Sequence, residues 1–368
     1  MPPNYAARQV KLRALLDDAD AVALVPGANL LYYTGLHFHL SERPTVALYS
    51  KDGWALIVPE LEMPRIVART DLEARTFTWS DKDGYIGAFD ELVKALKLKR
   101  LAIDGLTMRA FEMLTFQEVG EIESGEIEIL NVAKELLDIR SIKDEDEVAA
   151  MRQAARISET ALDRVLAWVE PGVTEKAIAR RLNEEMVALG AEGFAFESLI
   201  LTGPNSALPH GNTSDRVLQA DEFLLIDWGA KHAGYPADLT RTFCIGTPSA
   251  EMQKIYDAVR RANEAGTAAA GPGVSCHAVD QAARDVINEA GYGEYFIHRT
   301  GHGLGIETHE LPQIAQGVDA LLHPGMVFTV EPGIYIPGMG GVRIEDNVYI
   351  TDSGAEVLTS FRKSLNVR

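Results

Sequence analysis

The sequence predicts an α/β (α+β) protein of two domains, residues 1–138 and 139–368, the second built from two similar halves. Three observations carry this. The chain has 368 residues, more than one ordinary core accommodates. Short strands and helices alternate through its first third. The punctuation of the remainder repeats at a fixed spacing.

In the first third, residues 22–25 read as a strand ending at Pro26-Gly27. Residues 45–49 (TVALY) and 54–58 (WALIV) read as a hairpin across 50–53. Helical patterns follow at 60–69 and 86–97, then a strand at 101–103 ending in Asp104-Gly105. Few His, Asp or Glu residues cluster there at ligand spacing.

Composition shifts near residues 131–145. Ser141 followed by Asp144 reads as a helix-capping pair, because the hydroxyl satisfies a free N–H and the acid suits the N-terminal dipole. The helix that follows is amphipathic to about Val169, with Val148, Met151, Ala155, Leu162 and Val165 on its apolar side.

Pro171-Gly172-Val173-Thr174 opens a further helix, and Pro272-Gly273-Val274-Ser275 opens another 101 residues on. Thr and Ser are good N-caps. The two helices end at Gly190 and Gly291, again 101 residues apart, where glycine suits a left-handed C-terminal turn. An aromatic residue follows each (Phe194, Tyr295). Each half then ends in an apolar strand carrying an acid, FLLIDWG around Asp227 and VFTVEPG around Glu331, and a second strand brings Asp238 or Glu345. Two halves related by a pseudo-two-fold would each deliver two carboxylates to the middle.

Composition narrows the function classes. Apolar residues make up 46% and charged residues 24%, as in a globular protein. The formal charge of −19 argues against nucleic acid or an anionic membrane as partner. The two cysteines, Cys244 and Cys276, allow no disulfide framework or CxxC site and fit a reducing cytoplasm. No apolar run is long enough for a membrane span, and the N-terminal stretch lacks a signal-type apolar core; a cytoplasmic location is expected.

Asp227 and Glu331 each close a nearly pure apolar run, so each acid sits at the end of a buried strand. A buried ionised carboxylate is costly unless paired or metal-bound. Four of them near one axis would repel one another into protonation, and divalent cations remove that repulsion. His302, flanked by Gly301 and Gly303, can approach such a cluster closely. Asp227, Asp238, His302, Glu331 and Glu345 are therefore the candidate ligands. Four carboxylates and one imidazole suit Mn²⁺, Co²⁺, Fe²⁺ or Zn²⁺ in a binuclear site, where two ions about 3.5 Å apart activate a shared water. Residues 301–305 are not GxGxxG, no P-loop occurs, His309-Glu310 lacks the second histidine of HExxH, and no GxSxG elbow is present. No site for an organic cofactor is expected.

The segments LPHGNTSD (208–215), IDWGAKHAGYPADLTRTF (226–243), HRTGHGLGIETHE (298–310), VEPGIYIP (330–337) and GGVRIEDNVYI (340–350) closely resemble the pita-bread metallopeptidases. That group includes methionine aminopeptidase, Xaa-Pro aminopeptidase (aminopeptidase P), Xaa-Pro dipeptidase (prolidase) and the metal-free creatinases. The likeness spans residues 139–368, and residues 1–138 resemble the creatinase/prolidase N-terminal domain. The resemblance implies two divalent ions per chain (manganese, cobalt or zinc) and a homodimer. It makes Asp227 the bidentate ligand of one metal, Asp238 and Glu345 bridges, and His302 and Glu331 ligands of the other. Glu331 would also accept the proton of a bridging water that attacks as hydroxide. His210 and His309 would hold the substrate and stabilise the charge of a tetrahedral intermediate. Arg343 would steady a ligand carboxylate. His37, His39, His232, His298 and His323 are read as structural, although His37 and His39 lie on a loop that could reach a partner subunit's site.

The complete ligand set implied by the resemblance sets the chain apart from the creatinases, and the N-terminal domain from methionine aminopeptidase. This leaves a peptide with proline at its second position as substrate. In similar prolidases an arginine follows the HExP segment and takes the proline carboxylate. Gln313 stands there, which favours an Xaa-Pro aminopeptidase, with a dipeptidase as the alternative should Arg43 or Arg299 substitute. A non-catalytic pita-bread binding module is the remote third reading.

Overall fold

The computed structural model describes residues 4–123 and 125–367, which form two compact units dividing between Ile139 and Arg140. The first is built on one mixed sheet. Its strands are β1 (Ala21–Leu24), β2 (Val46–Ser50), β3 (Gly53–Pro59), β4 (Ala74–Trp79), β5 (Arg100–Ile103) and β6 (Glu128–Asn131). They lie in the order β4-β3-β2-β1-β5-β6. The β2–β3 hairpin pairs Val46 with Ile57 and Ser50 with Gly53, and every residue of β1 is buried. The helices α1 (Tyr5–Leu12), α2 (Ala28–Thr34), α3 (Met63–Val67), α4 (Ile86–Leu96) and α5 (Ala110–Glu123) belong to this unit, and α6 (Ala133–Ser141) follows β6.

In the second unit, α7 (Glu145–Leu166) begins at Asp144 rather than at Ser141. Asp144 accepts from the Glu147 amide while the Glu147 carboxylate accepts from the Asp144 amide, closing a reciprocal cap. Ser141 instead ends α6, because the chain still has to turn through Lys143 before α7 starts. Ser158 of α7 fastens the first acid-bearing strand: its carbonyl accepts from Trp228 Nε1 and its hydroxyl accepts from the Ala230 amide, both at 2.9 Å.

The repeated punctuation produces repeated helices. α8 (Glu175–Ala188) is capped by Thr174 and followed by Gly190 at φ 92°. α9 (Ala250–Ala269) precedes α10 (Cys276–Glu289), which is capped by Ser275 and followed by Gly291 at φ 85°. Both glycines hold the left-handed turn that a side chain would strain.

Strands β7 (Gly193–Phe194), β8 (Leu199–Thr202), β9 (Phe223–Trp228), β10 (Ala230–His232), β11 (Tyr235–Pro236) and β12 (Leu239–Cys244) make the first half. The second has β13 (Gly301–Gly303), β14 (Glu310–Ile314), β15 (Val327–Val330), β16 (Gly333–Ile336), β17 (Gly340–Arg343), β18 (Asp346–Thr351) and β19 (Gly354–Val357). The central strands β9 and β15 each have antiparallel partners on both sides, in the orders β12-β9-β8 and β14-β13-β15-β18-β19. Thr240 and Glu345 join the halves: the Glu345 amide donates to the Thr240 carbonyl at 3.0 Å. Asn263 of α9 adds a second tie, its amide donating to the carbonyls of Val330 and Ile344. Among the described residues no helix is long and apolar enough to cross a membrane.

Candidate metal centre and substrate cavity

Each candidate ligand arrives on a different part of the two halves. Asp227 sits near the end of β9, Asp238 just before β12, His302 in the middle of β13, Glu331 immediately after β15, and Glu345 between β17 and β18. Pairing of β9 with β12 sets Asp227 opposite Thr240, and the Thr240–Glu345 bridge then draws in the second half. One ligand atom from each of Asp238, His302 and Glu345 lies within 4.8 Å of the others. His302 Nε2 is 3.2 Å from Glu331 Oε1 and 3.7 Å from Asp238 Oδ2.

The tautomer of His302 suits a ligand. Its Nδ1 lies 3.2 Å from the Gly303 carbonyl, which can only accept, so Nδ1 carries a proton and Nε2 is the atom aimed at the acids. The glycines beside it make this approach possible. A Cβ on Gly301 would meet the Thr329 carbonyl oxygen at 1.8 Å, and one on Gly303 the Leu311 carbonyl oxygen at 2.1 Å.

The electrostatics ask for a cation. Burial, then the charges of Asp227 and Glu331, pushes the Asp238 carboxyl well above its usual range. Burial, then the charges of Asp238, Glu331 and Asp227, does the same to Glu345. Asp227 is raised by burial, against the pull of Arg343. Glu331 goes the other way: burial opposes its charge, but the His302 hydrogen bond and the nearby His302, His298 and Arg343 charges hold it down to about 2. Asp227 Oδ1 is buried with no hydrogen-bond partner among the described residues. An orphaned carboxylate oxygen beside acids driven toward protonation fits a divalent ion, whose charge would lower all of these values together.

Arg343 is buried and each of its three nitrogens has a partner. It pairs with Asp227 Oδ2, donates from Nε to Thr240 Oγ1 at 3.0 Å and from Nη1 to the Tyr335 hydroxyl at 3.0 Å. The Thr240 hydroxyl in turn donates to Glu345 Oε2 at 2.6 Å. Thr329 Oγ1 receives the His302 amide and donates to Glu331 Oε1, both at 3.1 Å. Below these, Arg241 and Asp346 form a buried ion pair at 2.7 Å.

These acids floor a cavity of about 540 Å³ whose walls include Phe196, Leu199, Pro209, His210, Arg299 and His309. A larger groove of about 700 Å³ over α8 holds none of the acids; the chemistry lies in the smaller space. His210 and His309 are exposed, with the His309 ring 4.2 Å from that of His302. Burial, followed by the charges of His302 and Arg299, lowers the His309 pKa, so it is neutral near pH 7. Glu310, the next residue, is pinned under it by Arg140 and by Lys143 at 3.0 Å.

One placement differs from the sequence reading. His298, read as structural, lines the cavity. Its Nδ1 donates to the Arg299 carbonyl at 2.6 Å, and its Nε2 lies 2.9 Å from the Tyr335 hydroxyl. Spacing alone left it among bystanders; only the β16 register that delivers Tyr335 reveals it. Gln313 is exposed and stands directly opposite His302 in the β13–β14 ladder, so the two side chains share one face of the sheet. His37 and His39 stack edge-on at 5.6 Å within the first unit. Arg43, also in the first unit, is paired with Asp81 and Glu42.

Comparison with known proteins adds an independent line. The profile described as metallopeptidase family M24 matches residues 149–352, and that of the creatinase/prolidase N-terminal domain matches residues 8–142. An uncharacterized peptidase of Staphylococcus epidermidis is 34% identical over 357 residues, covering 97% of this chain and 99% of its own length. Among solved structures, the Xaa-Pro dipeptidase from Bacillus anthracis matches with a TM-score of 0.90 and 32% identity over 99% of both chains. The X-Pro aminopeptidase from Thermotoga maritima matches with a TM-score of 0.85 and 33% identity, over 96% of this chain and 98% of that one.

Proposed function

The chain belongs to metallopeptidase family M24, and from that premise we propose that it hydrolyses the peptide bond between a first residue and proline, as a two-metal Xaa-Pro peptidase. One observation carries the reading. Asp238, His302 and Glu345 converge within ligand distance on the floor of a cavity, with Glu331 in contact with His302 and Asp227 holding an unpartnered buried oxygen.

Asp227, Asp238, His302, Glu331 and Glu345 would hold the ions, on donor chemistry that suits manganese, cobalt or zinc. When bound, the ions supply Lewis acidity and a water ionised near neutral pH. Glu331 would accept a proton from the attacking water, a role open to a carboxylate with a free oxygen. His309, neutral because burial and its cationic neighbours lower its pKa, serves as a hydrogen-bond donor to the scissile carbonyl, and His210 donates from the same cavity. Arg343 holds Asp227 in place and favours its charged form against the effect of burial. Phe196, Leu199 and Pro209 offer the apolar wall that a proline ring requires.

The test has two arms. Elemental analysis of purified protein, as isolated and after metal loading, should find about two divalent ions per chain; well under one ion after loading would sink the metal reading. Hydrolysis of Ala-Pro and Ala-Pro-Ala should exceed that of Ala-Ala, and equal rates on all three would remove the proline specificity. On substrate length, Gln313 opposite His302 favours the aminopeptidase reading, and the likeness to the Xaa-Pro dipeptidase from Bacillus anthracis supports the dipeptidase alternative at least as much.

A further inference from the structure

Glu175, the first residue of α8, is completely buried. Every hydrogen bond its carboxylate accepts comes from the two ends of one loop. Oε1 receives the Thr202 amide at 2.7 Å, the Thr202 hydroxyl at 2.9 Å and the Asn205 side-chain amide at 3.2 Å. Oε2 receives the Ser214 amide at 2.9 Å and the Ser214 hydroxyl at 2.6 Å. Thr202 ends β8, where the chain enters the loop, and Ser214 stands where it leaves.

Residues 203–213, between these stems, include Pro209, His210, Gly211, Asn212 and Thr213, which form one wall of the substrate cavity. His210 is exposed and its side chain makes no hydrogen bond among the described residues. Its placement is therefore inherited from the backbone of the loop. Ordering a loop and bringing its ends together costs conformational entropy, and one carboxylate that grips both stems offsets part of that cost. The second half repeats the device. Asp280 of α10, also completely buried, accepts from the Thr300 amide at 3.0 Å and the Thr300 hydroxyl at 2.8 Å, just ahead of His302.

The grip requires an acid. The amides of Thr202 and Ser214 can only donate, and they come to different oxygens. A carboxylate accepts at both. A glutamine side chain has one accepting oxygen and one donating NH2 group, so in either orientation one stem amide faces a donor. The exit stem is also held by the start of α8. The Glu175 amide donates to the Arg216 carbonyl at 3.0 Å, and the Lys176 amide to the Ser214 carbonyl at 3.1 Å. Loss of the carboxylate therefore loosens the loop without detaching the helix.

We propose that Glu175 is the positioning residue for His210, fixing the cavity wall that carries it. This deepens the function proposed above and rests on it for the task that His210 performs.

The experiment uses the full-length metal-loaded protein and its Glu175→Gln, His210→Ala and doubly substituted forms, acting on Ala-Pro. Glu175→Gln should lower kcat by about 10- to 100-fold, the cost of displacing a catalytic group by up to about 1 Å. KM should change less, and metal content not at all. Added to His210→Ala, the same substitution should cost less than about twofold more, because the group it positions is already gone. A loss of equal size in both backgrounds would overturn the proposal in favour of a general structural role. Backbone hydrogen exchange is read without turnover. Faster exchange in Glu175→Gln confined to residues 202–214 supports the grip even if no peptide is cleaved, the outcome that would count against the proposed function. Unchanged exchange there, or acceleration throughout residues 140–368, overturns the grip even in an active peptidase. Should Glu175→Gln fail to fold, Ser214→Ala removes one hydroxyl contact and leaves both amides in place. It should speed exchange of the same residues with a smaller fall in kcat, and unchanged exchange and kcat would overturn the proposal.

Discussion

Replacing Gly301 with alanine tests whether the close approach of β13 to β15 is what seats His302. An ideal Cβ at Gly301 falls 1.8 Å from the Thr329 carbonyl oxygen, and real Cβ contacts under 3.0 Å essentially never occur. The obstacle is backbone rather than a mobile side-chain end, so about 1 Å must come from moving the strands apart. Thr329 is tied to both ligands, accepting from the His302 amide and donating to Glu331. The displacement therefore reaches both sides of the 3.2 Å His302–Glu331 contact. Overpacking of this kind costs about 1–3 kcal/mol, which at about 2–4 °C per kcal/mol lowers the melting temperature by roughly 2–12 °C. Misplacing a reacting group by about 1 Å costs roughly 100-fold in rate. Thermal unfolding, metal titration and Ala-Pro hydrolysis would be measured together on Gly301→Ala. Gly87→Ala is the control, because its Cβ would meet nothing within 4 Å and lies on helix α4. A Gly301→Ala protein with unaltered melting temperature, metal affinity and rate would refute the reasoning.

Three further outcomes follow from the same geometry. Asp238→Asn should leave less than about a tenth of the activity if Asp238 bridges two ions as proposed, because that carboxylate would lose its charge; retention above that level removes the bridging role. His210→Ala should lower kcat far more than metal content, and a parallel fall of both would make His210 a ligand. The stabilisation conferred by metal should widen between pH 5 and pH 8. The raised carboxyls of Asp238 and Glu345 stabilise the metal-free fold fully only below their unfolded values of about 4. That stability is lost as pH rises through their folded values. A bound cation takes the place of those protons. Melting temperatures with and without chelator across that range check the sign, and a pH-independent gap would contradict it.

Much of the second unit was legible because its signals are local. Thr174 and Ser275 cap their helices through hydroxyls that reach only three residues on. Gly190 and Gly291 announce left-handed turns that other residues resist. Apolar runs ending in Asp227 and Glu331 mark buried strands wherever they occur. The first unit was harder to read. α5 distributes its apolar residues around the helix rather than along one face, and no periodicity exposed it. The edge strand β4 buries only Phe77 and Trp79, too short an alternation to stand out.

The sequence alone therefore nominated the side chains that meet in the cavity floor, as two acid-bearing strand pairs with His302 as the odd member. Such chemistry and strand propensity belong to the residues and their near neighbours. Tertiary structure decided what each side chain faces. The Thr240–Glu345 bridge joins strands about a hundred residues apart and converts two pairs of acids into one cluster. It is the partnering of Arg343 with Asp227 and Tyr335, and of Tyr335 with His298, that admits His298 to the cavity. The same packing sets Gln313 opposite His302 and puts Arg299 on the cavity wall. Whether a charged group is paired depends on which distant segments meet around it. Those meetings are settled by register and burial across the two halves, which no window of sequence contains.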